Sequence, residues 1–120
     1  KPAERVVLIS DGISLAESGQ SRGMLGALEV RVDGDRATLV DGGNLAGSVS
    51  ALDYELRNLV RHGVPLVDAA RASAANAAEL LDLRDRGRLA PGLRADLVEL
   101  DGHTFEVRRV MRGGEWIASA

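Results

Sequence analysis

Val6-Val7-Leu8-Ile9-Ser10-Asp11-Gly12 is the stretch whose reading decides the fold. Its four leading residues are apolar, three of them β-branched, with no polar alternation. That pattern suits a strand buried on both faces, as in a parallel sheet covered by helices. A parallel strand reaches its neighbour through a crossover of about a dozen residues or more. Only Lys1–Arg5 precede this run, and the chain opens on Lys1 instead of methionine. The expectation is therefore the last strand of a series, in a C-terminal piece of a longer protein. Asp11 follows the run directly, at the strand end where parallel α/β folds keep their active sites. A carboxylate there can take a proton from a nucleophilic water or ligate a cation. The structural alternative is an Asp-Gly turn closing the strand.

Outward from this point, Gly12–Gly26 is rich in Gly and Ser and reads as a loop. Leu28, Val30 and Val32 then alternate with Glu29, Arg31 and Asp33, the period of a half-buried strand. Asp33-Gly34 is a hairpin turn signal, and Ala37–Val40 form the return strand. A second polar stretch, Asp41-Gly42-Gly43-Asn44, leads to Leu45-Ala46-Gly47-Ser48, which reads as a segment placed before a helix. Backbone N–H groups at such a helix start can bind hydroxyls or anions, with glycine permitting close approach; capping by Ser48 or Ser50 is the plainer reading.

Leu52, Leu56, Leu59 and Val60 fall on one helical face. Ser50 with Asp53 resembles a capping box, Gly63 is a C-terminal stop, and Pro65 opens an Ala-rich second helix. Asn76 with Glu79 is another capping-box pair, so a break at Asn76 and a short helix through Leu83 are expected. Beyond it, Ala95–Leu100, Val107–Met111 and Trp116–Ile117 read as strands joined by turns at Asp101-Gly102 and Gly113-Gly114.

Composition removes whole classes of function. A net charge of -3 and scattered arginines give no nucleic-acid or acidic-membrane surface, and 2% aromatic residues cannot build base-stacking platforms. With no cysteine there are neither disulfides nor thiolate metal sites, which fits a reducing cytoplasm. No stretch is long and apolar enough for a transmembrane span. His62 and His103 lie at no metal-ligand spacing and receive no role. Phosphate loops, dinucleotide fingerprints and nucleophile elbows are absent from the sequence.

Taken in order, Leu8-Ile9-Ser10-Asp11-Gly12, Gly26-Ala27-Leu28-Glu29-Val30, Leu45-Ala46-Gly47-Ser48 and Leu56-Arg57-Asn58-Leu59-Val60 resemble the C-terminal third of the N-acetylglucosamine-6-phosphate deacetylases of the amidohydrolase superfamily. The ending Gly87-Arg88-Leu89-Ala90-Pro91-Gly92-Leu93-Arg94-Ala95-Asp96-Leu97-Val98 is similar to the superfamily's C-terminal signature. The resemblance implies an α/β fold: the end of a (β/α)8 TIM barrel over residues 1–83, with Val6–Ile9 as its eighth strand and a hairpin at 26–40 inserted. Residues 84–120 would be strands of a small β-sandwich assembled from both chain ends. A whole barrel needs about 250 residues, so most of it would lie upstream.

By the same resemblance, Asp11 matches the general acid/base that hydrolyses the acetamide of N-acetylglucosamine 6-phosphate, and Leu45, Ala46 and Gly47 match the segment contacting the sugar. A divalent metal ion, zinc or iron, is implied. Its Glu and two His ligands lie on earlier strands without counterpart here, and phosphate-binding residues lie upstream or on the partner of a homodimer. The sequence departs from the family at Ala77, where many amidohydrolases have proline, and over Ile13–Ser21, whose loop follows no family pattern. Two rivals remain: another metal-dependent amidohydrolase, such as an amino-acid deacylase or a cyclic-amide hydrolase, and a non-catalytic α+β module binding a sugar or a partner. The orphan strand argues against the module, which would leave an apolar edge exposed.

Overall fold

A computed structural model describes residues 2–119. The chain divides into two compact units, one spanning Ile9–Leu52 and the other made of the segment up to Leu8 together with the chain from Asp53 onward.

The first unit is a four-stranded antiparallel sheet in the order β1 (Arg22–Leu25), β2 (Leu28–Asp33), β3 (Arg36–Leu39), β4 (Leu45–Ser48). β2 and β3 are the hairpin that the alternation predicts, with Val32 opposite Ala37 and Gly34 at φ +61 in the turn. The sheet extends beyond that hairpin on both sides. β1 lies in the expected loop Gly12–Gly26, and Leu45–Ser48 is a strand instead of a helix start. Val30 and Ala37 are fully buried, and Leu15, from the same loop, closes over them. Ile13, Val32, Leu39, Ala46 and Val49 pack around this small core. Gly23 explains how Leu15 gets there: a Cβ on Gly23 would stand 2.5 Å from Leu15 Cδ2, so strand β1 needs its glycine to admit the leucine.

The second unit opens with a 3₁₀ turn, Ala3–Arg5. Val6 is extended, at φ -112 and ψ 126, yet Val6–Ile9 pairs with no strand among the described residues, and Val6 and Ile9 are exposed. The expected two-sided burial of this run is thus not met within the chain. Helix α1 (Leu52–Arg61) buries Leu56 and stops as predicted at Gly63, φ +87. There the N–H groups of Val64 and Gly63 reach back to the carbonyls of Leu59 and Val60, a Schellman closure. Asp53 pairs with Arg57 at 3.1 Å, one turn further along α1.

From Leu66 to Leu80 the backbone stays helical: α2 (Leu66–Ala70), a π-turn (Arg71–Ala75) and α3 (Asn76–Leu80). The break expected at Asn76 does not occur, since Ala75 and Asn76 both have right-handed helical angles. Asn76 is buried, and its amide is spent on distant backbone instead of capping α3. Gly87 returns against this helical run, where a Cβ would meet Ala78 Cβ at 2.6 Å.

Three short strands, β5 (Leu97–Leu100), β6 (Val107–Arg112) and β7 (Glu115–Ser119), complete the unit as an antiparallel sheet. Glu99 stands opposite Arg109, whose guanidinium bonds the Glu99 carboxylate and lies 4.1 Å over the Trp116 ring. Asp96, in the ending of the chain, accepts the Gly113 N–H at 2.8 Å and pairs with Arg94 at 2.8 Å. It thereby ties the start of β5 to the β6–β7 turn, and the Gly113 N–H chiefly lowers its pKa, helped by Arg94. Among the described residues, no helix is long and apolar enough to cross a membrane.

Candidate functional site

Asp11 and Gly47 are brought together by one hydrogen-bonded bridge. The Ser48 N–H donates to the Asp11 carbonyl at 2.8 Å, and the Ile13 N–H donates to the Ser48 carbonyl at 3.0 Å. Gly12 and Ser48 are thus a parallel bridge, which adds residues 11–13 to the free edge of β4. Asp11 adopts φ +49, in the left-handed region that aspartate tolerates better than most side chains. Such backbone persists where surrounding structure enforces it, and it concentrates at functional sites. Here the bridge on both sides of Gly12 is the enforcing element. The Asp11 residue is exposed, and its carboxylate has no hydrogen bond or ion pair among the described residues.

β4 is shaped to meet this carboxylate. Between Thr38 and Arg36 on β3, the facing strand β4 runs from Leu45 to Ser48, so it carries one extra residue as a bulge. Gly47 sits in that bulge at φ +114. A Cβ there would lie 2.9 Å from the Asp11 carbonyl oxygen, 2.8 Å from Ile13 Cγ2 and 3.6 Å from Asp11 Oδ2. The Asp11 side chain and the bare Cα of Gly47 therefore share one surface. Ala46 points the other way, into the core with Val30 and Ala37, and offers a ligand only backbone. Leu45 is 68% exposed and available for apolar contact. Of the expected residues, Asp11 and Gly47 are adjacent, Leu45 lies on the same strand, and Ala46 serves packing. Ser48, whose backbone holds Asp11, carries no sign of that role in its own sequence position.

Other polar groups serve structure. His62 Nδ1 donates to the Asn58 carbonyl, 2.8 Å away, beside the C-terminus of α1, and His103 is exposed in a turn. That turn is organised by Asp101. Its Oδ1 accepts the N–H groups of His103 and Thr104 at 2.8 and 2.9 Å, and its Oδ2 accepts from Arg108 at 2.8 Å. The Thr104 and His103 amides, then Arg108, lower its pKa from 3.8 to about 2. A depressed carboxylate supports the folded turn above the unfolded pKa and loses that support as pH falls through the folded one. Carbon-13 NMR of the Asp101 carboxyl is accordingly expected to titrate near pH 2, and the turn to loosen between about pH 4 and pH 2. Arg108→Ala should move the midpoint upward. A midpoint near the ordinary aspartate value would show the amide contacts absent.

No three of the His, Asp and Glu side chains converge on a metal-sized site among the described residues. The described residues therefore offer no complete ligand set of their own for the divalent metal that the resemblance implies. A groove of about 640 Å³ in the second unit is lined by Leu66, Val67, Glu79, Arg86 and Leu89, and none of the candidate site residues borders it.

The sequence model of the Amidohydrolase family matches residues 5–117. The chain belongs to the amidohydrolase family. A crystal structure of N-acetylglucosamine-6-phosphate deacetylase from Thermotoga maritima superposes over 100% of the chain with a TM-score of 0.91 and 36% identity. The N-acetyl-D-glucosamine-6-phosphate deacetylase of Mycobacterium smegmatis, a mutant in complex with N-acetyl-D-glucosamine-6-phosphate, superposes over 95% with a TM-score of 0.86 and 36% identity. An adenine deaminase from Methylobacterium nodulans is 44% identical over 70 residues, 58% of this chain. This amidohydrolase chain spans 33% and 31% of the two deacetylase structures and 12% of the adenine deaminase.

Proposed function

We propose that this chain is the C-terminal third of a longer amidohydrolase that hydrolyses the acetamide of N-acetylglucosamine 6-phosphate, giving glucosamine 6-phosphate and acetate. The observation that carries the reading is whole-chain likeness to deacetylases, including one with that sugar phosphate bound. In the parent, residues 1–83 close a TIM barrel and 84–120 contribute strands to a composite β-sandwich.

Asp11 is the chain's chemical contribution. Its exposed carboxylate takes a proton from the attacking water and returns one to the departing amine, the work of a general base turned general acid. The Asp11 φ of +49 and the bridge to Ser48 fix where that carboxylate stands. Gly47 keeps the space beside it clear, and Leu45 with the β4 backbone borders the sugar. A divalent metal, when bound by upstream ligands, would polarise the amide carbonyl; this chain supplies the proton carrier alone.

Deamination of adenine is the second reading, favoured by the 44% identity to an adenine deaminase. That match covers 58% of the chain against 100% for the deacetylase structure, which ranks it lower. The full-length protein carrying this chain, loaded with zinc or iron, is expected to release acetate from N-acetylglucosamine 6-phosphate and no ammonia from adenine. Ammonia release without acetate would reverse the assignment.

A further inference from the structure

Leu15 and Gly23 have no task in the reaction as described, yet they lie where the segment carrying Asp11 comes down onto its sheet, within the unit Ile9–Leu52. Leu15 is 8% exposed and packs with the fully buried Val30 and Ala37. Gly23 on β1, opposite Val30, leaves the space that the end of Leu15 fills: a Cβ there would stand 2.5 Å from Leu15 Cδ2 and 3.1 Å from Cδ1. Gly23 does not have a positive φ, so its missing side chain serves space and not backbone conformation. Three residues before Leu15, Gly12 bridges Ser48 on β4. The stretch Asp11–Leu15 thus touches both outermost strands of the sheet. Between these two attachments the backbone forms a closed turn. The Ala16 N–H donates to the Ile13 carbonyl at 2.9 Å, and the Ser18 N–H and Oγ donate to the Leu15 carbonyl at 3.2 and 2.8 Å. Leu15 and Ile13 therefore move together, and the Ile13 N–H makes one of the two bonds that hold Asp11 to β4.

We propose that Leu15, seated in the notch left by Gly23, is the lock that keeps Asp11 in place beside Gly47, making Leu15 a positioning residue for its proton transfer. This rests on the role given to Asp11 above. The bridge by itself is a weak restraint, because Asp11 and Gly12 are exposed and water competes for the same backbone groups. Asp11 also holds φ +49, from which an unrestrained chain would relax. Burial of the Leu15 side chain is the restraint that water cannot replace. Packing alone would be met as well by a small residue at 15 and a β-branched one at 23, which would also suit the strand better. The chain instead fills the space from the loop side, although a glycine weakens β1, and so ties the loop down.

The test uses the full-length metal-loaded protein and separates packing from positioning. Leu15→Ala empties the notch; Leu15→Ala combined with Gly23→Val refills it from β1 and leaves the loop untied. Since a misplacement of about 1 Å can lower turnover roughly 100-fold, both are expected to lower kcat by about ten- to 100-fold, with KM within about twofold and metal content unchanged. The double variant should regain most of the urea midpoint that the single one loses, but not the kcat. Hydrogen exchange at the Ile13 and Ser48 amides should accelerate by at least about tenfold in both. Leu15→Met, which still reaches the notch, should keep kcat within about threefold. A double variant that recovers kcat together with stability would reduce Leu15 to core filling and overturn the proposal, as would a folded Leu15→Ala protein with wild-type kcat. Should neither alanine variant fold, the wild type decides. An Ile13 amide that exchanges as fast as an exposed loop amide means there is no lock, and one as protected as the Val32 amide of β2 supports it. Absence of wild-type turnover on N-acetylglucosamine 6-phosphate would count against the substrate assignment only. Amide exchange in the double variant then decides, with wild-type rates at Ile13 and Ser48 overturning the lock.

Discussion

Asp11→Asn is expected to remove nearly all hydrolysis of N-acetylglucosamine 6-phosphate in the full-length protein while leaving its fold and metal content in place. The substitution separates chemistry from architecture. Asparagine tolerates the left-handed region as aspartate does, so φ +49 carries no added strain. Both hydrogen bonds that join this segment to β4 use backbone atoms, the Asp11 carbonyl and the Ile13 N–H, and survive the change. The carboxylate itself has no side-chain partner among the described residues whose loss would loosen the site. What disappears is the proton acceptor. General acid–base catalysis contributes typically about 100- to 10,000-fold, and kcat should fall by that factor. Metal analysis and thermal unfolding of the same sample provide the control. Turnover within about threefold of wild type would remove Asp11 from the mechanism, because a true proton acceptor is not dispensable at that level.

How much of this was legible in the sequence differs by element. The β2–β3 hairpin was, because Leu28 to Asp33 alternate strictly and Asp33-Gly34 names its turn. α1 and its Gly63 stop were legible for the same local reasons. β1 and β4 were not. Arg22-Gly23-Met24-Leu25 and Leu45-Ala46-Gly47-Ser48 lack β-branched residues and contain a glycine, which argues against a strand when read alone. Their strand character comes from neighbours: Gly23 exists to admit Leu15, and Gly47 to admit Asp11. Asn76 misled for a related reason. Beside Glu79 it has the spacing of a cap, while its actual partners, Ala3 and Val6, are about seventy residues away in sequence. At the candidate site, Asp11 is singled out by the apolar run it follows, and Gly47 by the Gly/Ser segment Leu45–Ser48 together with the family resemblance. Nothing local marked Ser48 as the residue whose backbone joins them.

The same logic makes Gly47→Ala a strongly damaging substitution at the candidate site. One methyl group is added, yet three constraints act on it together. At φ +114 an L-residue is strained wherever it stands, at a cost of about 1–3 kcal/mol. The new Cβ would lie 2.9 Å from the Asp11 carbonyl oxygen, a backbone atom that is itself fixed by the Ser48 N–H at 2.8 Å. On its other side, 2.8 Å away, is Ile13 Cγ2, which packs against the core around Leu15 and Val30 and has little room to retreat. Overpacking of this kind adds about 1–3 kcal/mol more, so the two effects together predict a loss of roughly 2–6 kcal/mol. Relief by moving the Asp11 backbone would break the bridge and displace the carboxylate. Activity should therefore fall even in whatever fraction of the protein remains folded. Urea unfolding followed with turnover at matched folded concentration separates the two losses. Gly26→Ala is the control, because Gly26 also has a positive φ, +60, but has nothing within 4 Å of an added Cβ. It should lose about 1 kcal/mol and keep its turnover. If Gly47→Ala behaves like Gly26→Ala, the close approach of β4 to Asp11 is not a feature of the working enzyme, and a wider gap must separate the sugar-binding strand from the proton carrier.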